Sequence, residues 1–186
     1  TNFAYEDAAQ DICDTLGQDA LHHDIDAHLG RTGFPLNGPI RLLPKCFGSG
    51  CITTNMDLVL ERVYTEAANP FADCVWGARL KQQQGYINPD ENKLFKLHGT
   101  ANENGDRVLT RQEYDQTYAN DISLRTVLDR LMGNRHLLFL GCSLGVDRTI
   151  QAIEQLKQDA GAAYPQHFAF MPLYEDTDRE ARRVEL

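Results

Sequence analysis

Leu94-Phe95-Lys96-Leu97-His98-Gly99-Thr100 is the stretch on which the reading of the chain turns. Lys93 to Leu97 is a short strand-forming run with a histidine at its end, and Gly99 breaks it at once, which is how a sheet presents a side chain at the rim where ligands bind. A solitary histidine is more often a hydrogen-bonded structural residue than a catalyst, so His98 counts only in company. Toward the N-terminus that company is Ile52-Thr53-Thr54-Asn55-Met56-Asp57. Cys51 to Thr54 reads as a strand and Asp57 to Tyr64 as a short helix carrying Leu58, Leu60, Val63 and Tyr64, so Thr54 to Asp57 falls at a strand-to-helix turn, where α/β sheets bind ligands. Toward the C-terminus it is Leu140-Gly141-Cys142-Ser143-Leu144. The run before it, His136-Leu137-Leu138-Phe139-Leu140, is the most hydrophobic in the chain, short and unalternating. That pattern predicts a strand covered on both faces, the centre of a parallel sheet.

Working outward, Ala72 to Trp76 and His167 to Pro172 are further strands, and Val146, Ile150, Ile153 and Leu156 mark the buried face of a helix after the Gly141 turn. Thr110-Arg111-Gln112-Glu113 has the capping-box spacing that opens a helix. That helix runs to Met132 in one piece or two, with Tyr114, Tyr118, Ile122, Leu128 and Leu131 inward, and Asp176 to Glu185 begins a polar helix. Two helices precede the first strand: Ala4 to Leu16, with Ala8, Ile12 and Leu16 on one face and Gly17 as its stop, and a second with Leu21, Ile25 and Leu29 on one face. Gly30 to Gly50 is loop-rich. Strands alternating with helices give an α/β fold, a Rossmann-like, doubly wound, mostly parallel sheet with helices on both faces. In such a sheet the three polar turns share the carboxyl edge, and their side chains converge there.

Composition excludes several classes. The 186 residues carry 42% hydrophobic and 24% charged side chains, the balance of an ordinary globular domain with a real core. A net charge of −9, with Arg179, Arg182 and Arg183 as the sole basic cluster, argues against direct nucleic-acid binding. Five cysteines (Cys13, Cys46, Cys51, Cys74, Cys142) without a Cys-x-x-Cys pair suit a reducing cytoplasm and do not support a thiolate zinc site. His22, His23 and His28 lie around a helix among Asp24 and Asp26 rather than on one side of it, so a solvated helix face is the better reading and no metal is expected. Gly48-Ser49-Gly50 precedes a strand, whereas a phosphate-cradling loop follows one. No signal peptide and no apolar run of bilayer length is seen, so the expectation is a cytoplasmic protein without a membrane partner. The chain starts without methionine and ends inside a helical pattern. It reads as one domain, residues 1–186, forming part of a longer multidomain protein.

Thr53-Thr54-Asn55-Met56-Asp57, then Lys96-Leu97-His98-Gly99, then Leu109, Thr110 and Tyr114, then Leu138-Phe139-Leu140-Gly141-Cys142-Ser143-Leu144, in this order and spacing, resemble the SIR2-like domain. These domains are bacterial relatives of the sirtuins, often found at one end of multidomain anti-phage defence proteins. The resemblance covers roughly Gly50 to Pro172. It implies NAD as substrate, Asn55 and His98 as the catalytic pair, and a nucleotide site that includes Thr54, Asp57, Gly99, Gly141 and Ser143. The glycine-rich first strand-turn-helix of the family is not seen and would belong before Thr1. Sirtuin deacylases carry a four-cysteine zinc module and a glutamine where Thr54 stands; neither is present, which favours NAD cleavage over deacylation.

The residue types suit that chemistry. Breaking the nicotinamide–ribose bond develops positive charge on the ribose, so the site must hold the sugar and bring water to its anomeric carbon. An asparagine can orient that water, and a histidine, with a reference pKa of about 6.5, can accept its proton. An aspartate at position 57 would bond the carboxamide. Structural roles fit the same residues: Asn55 as a helix N-cap, Asp57 as favourable charge in a first helical turn, Ser143 as a cap of the following helix. Asp147 and Arg148 read as a helix-start pair. The expected function is an NAD+ hydrolase releasing nicotinamide and ADP-ribose in anti-phage defence, held quiet by a partner domain or homo-oligomer. The alternatives are a catalytically silent nucleotide-binding sensor or oligomerisation module and, third, a sirtuin-type protein deacylase.

Overall fold

The computed structural model describes residues 4–48, 50–82, 91–118, 124–132, 135–142 and 148–170. In chain order they form helices α1 (Ala4–Leu16), α2 (Gln18–Leu29) and the single turn α3 (Leu43–Cys46), strand β1 (Cys51–Thr53), α4 (Val59–Glu66), β2 (Asp73–Trp76), β3 (Lys93–Lys96), α5 (Arg111–Tyr118), α6 (Leu124–Met132), β4 (Leu138–Phe139), α7 (Arg148–Ala160) and β5 (Phe168–Ala169).

Strand β3 is the axis of the main sheet. It pairs in parallel with β1 and with β2, placing Thr53 and Trp76 on either side of Lys96. Covered by strands at both edges and by helices on both faces, Leu94, Phe95 and Lys96 are all buried. Side chains alternate between the faces. Phe95, with Ile52 and Val75, meets a core built from Leu128 and Leu131 of α6 and Ala152 and Leu156 of α7. Cys51 belongs to a second cluster with Val63 and Tyr64 of α4. Full burial of each such Leu or Phe contributes on the order of 1.5–3 kcal/mol. The expected α/β architecture, a parallel sheet with helices on both faces, is what forms.

The centre of the sheet is not where the hydrophobic run predicts. His136–Leu140 yields only the two-residue β4, which pairs in parallel with β5 in a separate two-stranded sheet among the described residues. Leu138 is 38% and Leu140 40% exposed, and Phe168 of the neighbouring strand and Phe170 just beyond it are more exposed still. An apolar run specifies hydrophobicity; it does not specify that both faces are covered. β3 outranks it because pairing on two sides and packing on two faces coincide there.

Helix α1 is also turned relative to its apolar pattern. Ile12 and Leu16 are exposed, as is Ala8, while the polar side is docked: Glu6 to Arg148, Asp7 to Arg111, and Gln10 Oε1 to the Gln112 N–H. On α2, likewise, His22 is buried and Leu29 is exposed. The expected helix from Asp176, the expected inward placements of Ile122 and Val146, and Asp147 lie outside the described residues.

The long helix expected after Thr110 is present as α5 and α6, and its start is the capping box. Thr110 Oγ1 accepts the Glu113 N–H at 3.1 Å, while Glu113 Oε2 accepts the N–H groups of Thr110 and Leu109, each at 2.9 Å. Thr110→Ala is expected to lower stability by about 1 kcal/mol, read as a shift in the urea midpoint. An unmoved midpoint would show that this cap does not hold α5.

Candidate functional site

Two turns leave the carboxyl edge of adjacent parallel strands. The ladder between β1 and β3 is carried one step beyond the strands by the Leu97 N–H, which donates to Thr53 O at 2.8 Å. Since Thr53 is level with Lys96, Asn55 and His98 each stand two residues past that level. The turns are joined again where the Ala101 N–H donates to Met56 O at 2.8 Å. Thr54, Asn55, Asp57, His98 and Gly99 are thus gathered at one edge, as the strand-end reading requires.

Within the first turn the Asn55 N–H donates to Thr53 Oγ1 at 3.1 Å, and Thr54 and Asn55 are both exposed. Asn55 is not the helix cap. Leu58 is the N-cap, and Asp57, one residue before it, accepts the Val59 N–H on Oδ1 at 2.9 Å at the start of α4. Neither structural role holds as expected: Asn55 is not the N-cap, and Asp57 stands before the first turn of α4, where it accepts a main-chain N–H rather than serving as first-turn charge.

Within the second turn His98 is half-buried, its carbonyl accepting the Val108 N–H at 3.0 Å and its ring set edge-on to Tyr114 with centroids 5.9 Å apart. Gly99 follows at φ +119°, in the left-handed region that favours glycine. A Cβ there would stand 2.7 Å from Arg107 Cγ, so the position is closed sterically as well. Tyr114 carries the Arg148 guanidinium over its ring at 5.1 Å from the centroid. Arg148 in turn donates to Glu6 at 2.8 Å and to Asp115 at 3.1 Å. Burial pushes the Glu6 carboxyl up from its ordinary range against the opposing pull of Arg148.

The third turn is placed differently. Gly141 and Cys142 are exposed beyond β4, on the edge of the two-stranded sheet rather than of the β1-β3-β2 sheet. Ser143 lies outside the described residues.

Three further residues organise the site: Tyr114, which the helix pattern places inward, and Lys96 and Arg107, whose types gave little warning. Lys96 is 1% exposed, and its ammonium lies among acceptors from both turns. Arg107, 4% exposed, binds Thr100 O through Nε and Nη2 at 3.2 and 3.1 Å and His22 Nδ1 through Nη1 at 2.9 Å, and pairs with Asp26. Tyr114 is buried beneath His98. A lysine closing the strand directly after the apolar Leu94 and Phe95 is the visible signal for Lys96.

His22 and Asp26, members of the histidine–aspartate group considered for a metal, are thus engaged by Arg107, and His28 Nδ1 lies 2.8 Å from Asp24 O. No group of three or more His, Cys, Asp or Glu side chains suited to a metal occurs among the described residues. No helix among them is long and apolar enough to cross a membrane.

A family model, described as the SIR2-like domain, matches residues 49–186. No curated protein matches the chain. The matched span includes β1, β3, both turns at their carboxyl ends and the helices that cover the sheet, so it takes in the edge just described. By its parallel sheet and by this match over most of its length, the chain belongs to the SIR2-like domain family, a sirtuin-related, nucleotide-binding domain.

Proposed function

We propose that this domain is an NAD+ hydrolase that cleaves the nicotinamide–ribose bond at the carboxyl edge of β1 and β3. The observation that supports it is the alignment of Asn55 and His98 at equal distance past two paired parallel strands, with Asn55 exposed and His98 half-buried on a braced main chain. The Asn55 amide orients a water and a ribose hydroxyl. As the bond from the anomeric carbon to nicotinamide breaks, its electron pair neutralises the ring nitrogen. Water oxygen bonds to that carbon, and the His98 imidazole takes the water proton. Asp57 Oδ2 is the atom this reading assigns to the carboxamide, since Oδ1 accepts the Val59 N–H. Gly141 and Ser143 remain assigned to the nucleotide on the family pattern. Deacylation is disfavoured by Thr54 standing in place of the deacylase glutamine.

In the cell, the reading makes the domain a cytoplasmic effector of anti-phage defence, restrained by other domains of its protein or by homo-oligomerisation, because unchecked NAD loss is lethal. The test is chromatography of NAD incubated with the full-length protein, wild type and Asn55→Ala. Nicotinamide and ADP-ribose are expected in equal amounts from wild type and strongly reduced with Asn55→Ala. Tight NAD binding without turnover under every activating condition would overturn the hydrolase in favour of a nucleotide sensor.

A further inference from the structure

We propose that Lys96 is the positioning residue of this site, setting the separation between the turn that carries Asn55 and the turn that carries His98; the inference rests on the hydrolase reading. The Lys96 ammonium donates to Met56 O at 3.2 Å and to Asp57 O at 2.5 Å, the two carbonyls that follow Asn55. It also donates to Thr100 Oγ1 at 3.0 Å, two residues past His98, and to Glu61 Oε1 of α4 at 2.7 Å. One buried charge therefore holds both turns and the first part of the helix behind them. Main-chain bonds from Leu97 to Thr53 and from Ala101 to Met56 flank it on either side, so the ammonium is the side-chain member of a three-point frame around the proposed catalytic pair.

Stability alone is a poor reason for a lysine here. Burying an ammonium–carboxylate pair is costly, and apolar side chains of similar size often serve a core as well or better. The strand shows this two residues earlier, where Leu94 is fully buried. The pair is also incompletely satisfied: Glu61 Oε2 is buried and has no hydrogen-bond partner among the described residues. What a leucine or methionine at position 96 would not supply is attraction to the Met56 and Asp57 carbonyls and to Thr100. Those contacts draw the two turns to a common point. A misplacement of about 1 Å can cost a reaction about a hundredfold, so a frame of this kind acts on turnover more than on affinity.

The experiment compares wild type, Lys96→Met and Thr100→Val in the full-length protein, by steady-state nicotinamide release, thermal midpoint and NMR of the Asn55 side-chain amide and the His98 imidazole. Methionine keeps the unbranched bulk of lysine and removes the charge; valine removes the hydroxyl on the His98 side only. Lys96→Met is expected to lower kcat by roughly 10- to 100-fold with KM for NAD within about threefold, read at a temperature where the variant is fully folded, and to lower the thermal midpoint because Glu61 and the two carbonyls lose their donor. Its Asn55 and His98 signals shift while the methyls of Leu128 and Leu131 do not. Thr100→Val is expected to lower kcat by about threefold to tenfold in the same pattern, and it decides the matter if Lys96→Met does not fold. Activity that falls only in step with the thermal midpoint, or unmoved Asn55 and His98 signals, overturns the proposal. Should wild type release no nicotinamide, the hydrolase reading fails by itself, and the NMR comparison still decides whether Lys96 sets the two turns.

Discussion

His98→Ala is expected to lower nicotinamide release by about 10²- to 10⁴-fold, the usual contribution of a positioned general base, while the protein stays folded. The fold tolerates the change because the backbone of His98 is held independently of its ring: its carbonyl accepts the Val108 N–H, and the residues on either side are fixed by the Leu97–Thr53 bond and by Gly99 against Arg107. The ring itself contributes an edge-on contact with Tyr114, worth about 0.5–1.5 kcal/mol in aromatic pairs. His98→Gln is the stricter control, since glutamine can hydrogen-bond water but cannot carry its proton away. Nicotinamide release by His98→Ala within about threefold of wild type would remove His98 from the chemistry and leave it a residue that packs on Tyr114.

What could be read from sequence was local. A strand ending in His-Gly, a strand-to-helix turn at Thr54 to Asp57 and the Thr110–Glu113 box are short-range patterns whose physics is contained in a few neighbouring residues, and each formed within a residue or two of its expected place. Features set by distant partners could not be read this way. Helix α1 turns its polar side inward because Asp7 meets Arg111 and Glu6 meets Arg148, partners 104 and 142 residues away. Its apolar periodicity indicated the opposite face. The run at Leu138 failed for a related reason, because the coverage of a strand is a property of what packs on it. The role of Lys96 depends on Met56, Asp57 and Glu61, 35 to 40 residues upstream, and that of Arg107 on His22 and Asp26. A charged residue within an apolar strand marks that something polar must meet it, but not what.

Arg107→Met should be the most destabilising single change near the site, by roughly 3–5 kcal/mol, the usual consequence of breaking a buried charged pair from one side. The guanidinium is fully buried and serves three partners at once, the Asp26 carboxylate, His22 and the Thr100 carbonyl. Methionine fills most of the volume but leaves all three without their donor. Asp26 adds a pH signature. Burial by itself would raise its pKa, but the hydrogen bond from Arg107, the N–H of Asn102 and the Arg107 charge together hold it below the ordinary 3.8. A carboxyl lowered in the folded state adds stability that is complete above the unfolded pKa and is lost as pH falls through the folded one. The gap between wild type and Arg107→Met, measured by urea unfolding, should therefore be widest near neutral pH and narrow as the solution is taken below 3.8. A gap that stays constant across that range would mean the Asp26 pairing does not contribute to stability. Because Arg107 also holds the Thr100 carbonyl and lies against Gly99, its loss frees the turn that carries His98. Turnover should then fall even where the variant is fully folded, which separates Arg107 from an ordinary core residue such as Leu128, whose truncation would unfold the protein without altering the activity of the folded fraction.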